Sequence, residues 1–310
     1  MMQTFCTIID ANYLPFAKVL FGSLQEQDPH VCIEVLVVDK ELNPGIDGMK
    51  MHVLQDLSGI EHYHEILDKY GKGQSDQLRW ALKPVFIQYL LSKDFQKVIY
   101  LDPDIFFVSH FQFLFARLDN HAMLLTPHWA DLDIHNNPDS IRSVMKGGLF
   151  NAGFAGASSK GINALKTWAG LCAYHTGKSS DQSFHDDQKY LDLIAVQFED
   201  IHVLRNKGCN LAAWNIQSCR RSLVNGVLKI NETFDPVFIH FTKDTMHNIL
   251  NHNDELLKPT LDLYFAQLQL AGLDVKETGY SDKYIPSKLK QRTRIRTRIK
   301  KLLRRLADRI

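Results

Sequence analysis

Residues 98–108, VIYLDPDIFFV, place Asp102 and Asp104 inside an otherwise apolar run. The apolar residues on either side of the pair predict two buried strands. Pro103 favours an extended backbone at Asp102, and residues two apart on an extended chain project from the same face. Two neighbouring carboxylates at a strand end are costly to desolvate unless a cation binds them. The residues alone leave two interpretations open: a divalent-cation site and a polar turn between strands.

Segments on both sides of this run alternate between strand and helix patterns. Such alternation favours an α/β sheet that binds ligands at the carboxyl ends of its strands. Predicted strands are followed at such ends by Asp10, Asp39 and Asp102. The apolar spacing predicts strands at 5–9, 31–38, 61–63 and 122–126, and helices at 13–24, 46–54, 78–91 and 161–174.

Length and composition are those of a globular protein. The chain has 310 residues, of which 45% are hydrophobic, enough for one large domain or two closely packed ones. No apolar run reaches the roughly 18 residues that span a bilayer. The N-terminus has no basic region or cleavage site, and the five cysteines form no Cys-x-x-Cys pair. We therefore expect a cytoplasmic protein with reduced thiols.

The net charge of +1 hides a strong asymmetry along the chain. Residues 288–310 hold eleven Lys/Arg and one acid, Asp308, whereas the remainder has 25 basic and 34 acidic residues. Apolar residues recur every three or four positions in this tail, which predicts a basic amphipathic helix on an anionic membrane surface. A nucleic-acid-binding arm and a solvated helix remain alternatives, but no aromatic residue is interleaved there to stack on bases.

Five stretches occur in order between residues 7 and 244: TIIDANYLPFAKVLFGSL, LKPVFIQYLLSKDFQKVIYLDPDIF, LFNAGFAG, DDQKYLDL and FIHFTKD. In this order they resemble the GT-A glycosyltransferases of family 8, which include bacterial lipopolysaccharide α-galactosyltransferases and glycogenin. The resemblance implies a GT-A fold, a Rossmann-like mixed α/β sheet flanked by helices. It places a catalytic domain at 1–280, with a nucleotide-sugar half at 1–130 and an acceptor half at 131–280, and leaves 281–310 as the tail.

The resemblance implies a metal site made of Asp102, Asp104 and His240. Carboxylates suit Mg²⁺ or Mn²⁺, and an imidazole ligand tilts the choice towards Mn²⁺. Without the resemblance, a histidine between Ile239 and Phe241 would be interpreted as a buried core residue.

The same resemblance implies a binding site for a UDP-sugar. Asp10, Asn12 and Tyr13 match the loop that holds base and ribose, although an Asn-containing turn that caps a helix is a compatible interpretation. Asp102 is also expected near the ribose. The diphosphate is expected to meet Lys83 and Lys243, and the donor sugar is expected to lie against Asn151, Ala152 and Gly153.

Catalytic roles are implied for Asp187 and Gln188, which match the acid–amide pair beside the anomeric carbon. In retaining members the glutamine is a weak nucleophile, and a front-side path is favoured. Asp187 is also explained as a favourable charge at a helix N-terminus. His128, Asp131 and Asp133 are candidates for the acceptor side. The segment NLAAWN at 210–215 also resembles some bacterial members.

These features predict a metal-dependent, retaining transferase that moves a hexose, galactose or glucose, from a UDP-sugar to a lipid-linked or surface glycan. A sugar-nucleotide nucleotidyltransferase is one alternative, but it usually needs a Gly-rich loop that IIDANYLP lacks. A glycan-binding scaffold with the same fold is the other. Such a scaffold has no need to keep a buried pair of carboxylates.

Overall fold

Strand β1 (Gln3–Ile9) lies next to the strand of the VIYL run, β4 (Lys97–Leu101), near the middle of the main sheet. The computed structural model describes residues 2–73, 75–179 and 184–273. In β4, Val98 and Tyr100 enter one hydrophobic core, while Ile99 and Leu101 enter another on the opposite face. A strand that is buried on both faces has no polar side, which explains why its sequence is continuously apolar.

The main sheet, within the described residues, has seven strands and is mixed. Four neighbouring strands on one side run parallel, and β7 pairs antiparallel with both of its neighbours. The predicted mixed sheet is confirmed. Its spatial order is β3 (Met49–Val53), β2 (Ile33–Val37), β1, β4, β7 (Phe150–Ser158), β6 (Met123–Pro127) and β10 (Ile201–Val203).

A smaller ladder joins two distant parts of the chain. Strand β5 (Ile105–Phe107) pairs antiparallel with β13 (Phe238–His240), so that His240 lies opposite Ile105. This pairing brings the FIH segment next to the turn that contains Asp102 and Asp104. Two further hairpins pair β8 (Lys178–Ser179) with β9 (Phe184–His185), and β11 (Arg221–Val224) with β12 (Val227–Ile230).

Helices cover both faces of the main sheet. One core contains residues of α2, α3, α4, α7 and α8, and the other contains residues of α1, α5 and the β5–β13 ladder. The helices are α1 (Leu14–Gln25), α2 (Tyr63–Tyr70), α3 (Ser75–Ala81), α4 (Lys83–Ser92), α5 (Gln112–Arg117), α6 (Pro138–Gly147), α7 (Ile162–Tyr174), α8 (Tyr190–Gln197), α9 (Lys243–Leu250) and α10 (Lys258–Leu270).

Two predicted elements are wrong. The segment 46–54, predicted as a helix, contains strand β3, because its backbone completes the edge of the sheet in parallel register with β2. The segment 61–63, predicted as a strand, is a turn that leads into α2. Neither segment has an apolar pattern long enough to distinguish the two periods, so contacts with the rest of the fold decide the structure.

The basic tail at 281–310 lies outside the described residues. The proposed limit of the catalytic domain at residue 280 therefore stays a prediction, and so does its division at residue 130. Strands from before and after residue 130 contribute to the same main sheet. Among the described residues, no helix is both long enough and apolar enough to cross a membrane.

Candidate functional site

Asp102, Asp104 and His240 meet at the carboxyl end of β4. Asp102 follows β4, Asp104 precedes β5, and His240 is the last residue of β13. Nε2 of His240 lies 2.9 Å from a carboxylate oxygen of Asp104 and 3.8 Å from one of Asp102. One ligand atom from each residue lies within 4.8 Å of the others. The β5–β13 pairing is therefore the element that assembles this triad.

The triad fits a divalent cation. It offers two carboxylates and one imidazole nitrogen, a donor set that Mn²⁺ accepts. Burial alone would lower the pKa of His240, but the adjacent Asp104 and Asp102 carboxylates outweigh burial and raise it. Burial would likewise raise the pKa of Asp104, yet His240 holds it below its ordinary value. A positive charge is thus favoured at this position.

Gly153 leaves the space that the triad needs. A Cβ atom at this position would lie 2.8 Å from Oδ2 of Asp102 and 2.8 Å from Oδ1 of Asn151, and it would also clash with the His240 ring. Real Cβ atoms do not approach other atoms this closely. The first glycine of LFNAGFAG, Gly153, is therefore explained by the close approach of β7 to the triad.

Lys83 lies beneath the triad and is almost completely buried. Its Nζ lies 3.2 Å from Asp102 and 3.3 Å from Asp187, and it donates a hydrogen bond of 3.1 Å to the carbonyl of Ala152. Burial would lower the pKa of Lys83, but the two carboxylates outweigh it and raise it. Burial also raises the pKa of Asp187, from 3.8 to about 7, despite the opposing Lys83 ammonium. The residues predicted for diphosphate and catalysis thus share one buried network.

Asp10 and Tyr13 lie at the carboxyl end of β1, next to an arginine that the sequence reasoning missed. Oδ1 of Asp10 accepts a 3.0 Å hydrogen bond from the backbone of Asn12, which caps the turn before α1. Arg79 of α3 donates to the other oxygen of Asp10 and also pairs with Asp76. Its guanidinium carbon lies 4.5 Å from the Tyr13 ring centroid, a cation–π contact.

Arg79 had a signal in the sequence. It precedes Lys83 by four residues in the segment 78–91, which was predicted as a helix. Residues four apart lie on the same helix face, so the spacing from Lys83 is the signal that could have pointed to Arg79. Arg79 differs from a solvated arginine because it pairs with Asp10, directly after β1. That partner is distant in sequence.

Asn151 belongs to β7, on the opposite side of β4 from β1, and Gln188 contacts the end of α6. The Gln188 side chain donates a 2.7 Å hydrogen bond to the carbonyl of Gly147, at the end of α6. Oδ1 of Asn151 accepts from the backbone of Gly153 and from the side chain of Asn210, each at 3.2 Å. Asn210 belongs to the NLAAWN segment and is fully buried. The structure therefore joins that segment to the residues predicted for the donor sugar.

His128 contacts the same network. Nδ1 of His128 lies 2.8 Å from the carbonyl of Gly148, and Nε2 lies 3.5 Å from the Asn151 amide. Burial lowers the pKa of His128 to about 4, so the ring is neutral near pH 7. The indole of Trp214 lies edge-on to both His128 and His240, with ring centroids 5.6 Å and 5.5 Å apart.

The remaining predicted residues lie in segments that follow His240 and His128 along the chain. Lys243 is the first residue of α9, three positions after His240. Asp131 and Asp133 belong to the loop between β6 and α6, where Asp133 accepts a 2.7 Å hydrogen bond from the Asn136 side chain. That bond, with backbone donors of the same loop, lowers the pKa of Asp133. Asp133 is thus satisfied within its own loop, unlike His128.

Comparison with known proteins gives distant likenesses. A scan against protein-family models finds no match. The chain is 27% identical over 253 residues to the uncharacterized protein YfnD of Bacillus subtilis strain 168, covering 78% of each chain. It is similar in structure to mouse xyloside xylosyltransferase 1 in its apo form (14% identity, TM-score 0.49, 79% of this chain and 99% of that one). It is also similar to galactosyltransferase LgtC in complex with donor and acceptor sugar analogs (15% identity, TM-score 0.48, 83% and 96%).

Proposed function

We propose that this protein is a metal-dependent, retaining GT-A glycosyltransferase of the family 8 kind. It transfers a hexose, galactose or glucose, from a UDP-sugar to a lipid-linked or surface-glycan acceptor. The observation that carries the proposal is the convergence of Asp102, Asp104 and His240 at 4.8 Å or less, at the carboxyl end of a central strand. Ligands of open α/β sheets bind at this edge.

The residues around the triad supply the binding groups that a UDP-sugar needs. Tyr13 offers a ring for stacking, and Asp10 and Arg79 offer polar groups for base and ribose. Asp102, Asp104 and His240 would hold Mn²⁺ or Mg²⁺, which as a Lewis acid neutralises the diphosphate leaving group. The strand order supports this arrangement of nucleoside, cation and sugar, because β1, β4 and β7 are consecutive neighbours in the sheet.

Lys83 is proposed as a positioning residue and not as a direct phosphate ligand. Its ammonium is held between Asp102 and Asp187, so it fixes a ligand carboxylate of the triad in place. Asp187 precedes Gln188, and the Gln188 amide is oriented by the Gly147 carbonyl. We assign Gln188 to the face of the donor sugar beside the anomeric carbon. Retention itself rests on the sequence resemblance.

The nucleotidyltransferase alternative is disfavoured by the loop after β1. Enzymes of that class need a flexible, Gly-rich and basic loop there, whereas this chain has a short helical turn at Ala11–Tyr13, capped by Asp10. A non-catalytic glycan-binding scaffold is the competing function, and UDP release distinguishes the two. We also propose that residues 288–310 attach the enzyme peripherally to the inner face of the cell membrane, because of their charge.

The test is UDP release from a panel of UDP-sugars, with Mn²⁺ or with chelator. Wild type is expected to hydrolyse one sugar nucleotide slowly without acceptor, and chelator and Asp104→Asn should each reduce that rate at least a hundredfold. Asp262→Asn is the matched control, since Asp262 is an exposed acid on α10. If no UDP-sugar is hydrolysed and no Mn²⁺-dependent UDP binding is detected, the scaffold is the better account.

A further inference from the structure

An apolar cavity of about 380 Å³ lies beside the candidate site. The loop after β6 and helix α6 form its outer walls, where Leu132 is 78% exposed and Met145 is 71% exposed. Soluble proteins rarely leave several large apolar side chains exposed together unless the surface binds something. The walls include Pro127, Trp129, Leu132, Met145, Leu149 and Phe150.

The cavity lies at the same sheet edge as the triad, further from the nucleotide residues. Asp10 follows β1, Asp102 follows β4, Asn151 is the second residue of β7, and Pro127 ends β6. These strands are consecutive neighbours in the order β1, β4, β7, β6. Along this edge the proposed sites for nucleoside, cation and donor sugar are therefore followed by the cavity. A transferase must hold its acceptor next to the donor sugar, and the cavity is the next feature along this edge.

The cavity and the candidate site also share structural elements. Phe150 of the cavity wall directly precedes Asn151 in β7. Helix α6 supplies Met145 to the cavity and the Gly147 carbonyl to the Gln188 amide. A ligand in the cavity would thus lie close in the fold to the residues proposed for the donor sugar.

The apolar walls determine which part of an acceptor the cavity can bind. Every residue that lines the cavity has an apolar side chain, so the hydroxyl groups of a sugar would lose water there and find few hydrogen-bonding partners. A hydrocarbon chain meets no such penalty, and apolar pockets of this size commonly bind small ligands. We propose that the cavity binds the alkyl chain of a lipid-linked acceptor, next to its acceptor sugar. This inference rests on the proposed function.

The test compares methyl and octyl glycosides of glucose and galactose, below the critical micelle concentration. In calorimetry with UDP and Mn²⁺, the octyl glycosides are expected to bind wild type at least tenfold more tightly than the methyl ones. Leu132→Glu and Met145→Glu should reduce that preference to less than twofold; both side chains are exposed, so both variants should fold. Leu270→Glu, an equally exposed leucine on α10, is the control and should keep it.

The octyl compounds should also change UDP release at lower concentrations than the methyl compounds. Equal binding of both chain lengths, or an octyl preference that survives both glutamate variants, overturns the inference. Octyl binding without any effect on UDP release overturns its assignment to the acceptor. Dimerisation that Leu132→Glu abolishes, with no alkyl preference, would assign the cavity to a second copy of the chain. UDP release without acceptor is measured in parallel, because its absence would refute the proposed function instead.

Discussion

Gly153 is the residue whose identity is most tightly fixed by the site. A methyl group there would press on Asp102, Asn151 and His240, so Gly153→Ala is expected to separate the ligands and lower Mn²⁺-dependent UDP release at least tenfold. Gly22→Ala is the control, because a Cβ atom there meets nothing within 4 Å in helix α1. It should keep full activity and gain roughly 0.5–1 kcal/mol of stability. Equal activity of both variants would contradict the close approach.

Asp187 makes stability depend on pH in an unusual direction. Its pKa is raised by burial from 3.8 to about 7, so between these values the folded state binds a proton that the unfolded state has lost. The free energy of unfolding therefore falls as pH rises, by up to about 1.4 kcal/mol per pH unit from this group. Besides Lys83, the charges that act on Asp187 are those of Asp102 and Asp186.

This dependence is measured by urea denaturation of metal-free protein between pH 4.5 and 6.5. Asp187→Asn cannot titrate, so the free energy of unfolding should fall less steeply with pH in this variant than in wild type. Asp139→Asn, which alters an exposed acid at the start of α6, should follow wild type. If Asp187→Asn and wild type show the same slope, Asp187 is ionised throughout this range.

At the scale of elements, the sequence was sufficient where a strand is buried on both faces. Strand β4 and the two aspartates after it follow from the apolar run itself. His240 was reached by resemblance alone, because its place beside Asp104 depends on the pairing of β5 with β13, which are far apart in the chain. Arg79 was missed for the same reason, since its partner Asp10, directly after β1, is far from it in the chain. Local patterns predict elements, whereas contacts between elements complete the site.

Strand β3 was predicted as a helix because its local sequence does not show that it pairs with β2. Only Met49 and His52 of its five side chains are buried, and its structure comes from parallel pairing with β2. Glu34 is buried within β2, and its side chain bonds His52 of β3. A buried carboxylate needs such a partner, so this polar pair connects the edge strand to the sheet.

The Glu34–His52 pair predicts that substitutions at two neighbours of Glu34 lower the free energy of unfolding by different amounts. His52→Ala leaves the buried carboxylate without its close partner and is expected to lower the free energy of unfolding by about 2–4 kcal/mol. Lys50→Ala removes a cation 4.0 Å from Glu34 that is 68% exposed, and should cost about 0.5 kcal/mol or less. Both values come from urea denaturation at pH 7. Similar losses in the two variants would argue against a structural role for the pair.

At the scale of the whole molecule, the charge is strongly divided between body and tail. Residues 288–310 contain eleven basic residues, whereas the rest of the chain is acidic, and each basic residue near an anionic surface contributes roughly 1 kcal/mol. The full chain is expected to sediment with anionic vesicles at low salt and to be released at high salt. Changing Lys300, Lys301, Arg304 and Arg305 to glutamate should abolish sedimentation, whereas neutral vesicles should bind neither protein. Binding that ignores both salt and these changes would refute the electrostatic attachment.

The proposed function depends on a cation bound by Asp102, Asp104 and His240. The most direct measurement is Mn²⁺ binding in the presence of UDP, followed by the loss of the free-ion signal in electron paramagnetic resonance. We predict one site per chain in wild type and in the Asp262→Asn control, and at least a hundredfold weaker binding in Asp104→Asn and His240→Ala. If wild type binds no Mn²⁺, or if the triad variants bind it as tightly as wild type, the central claim is contradicted.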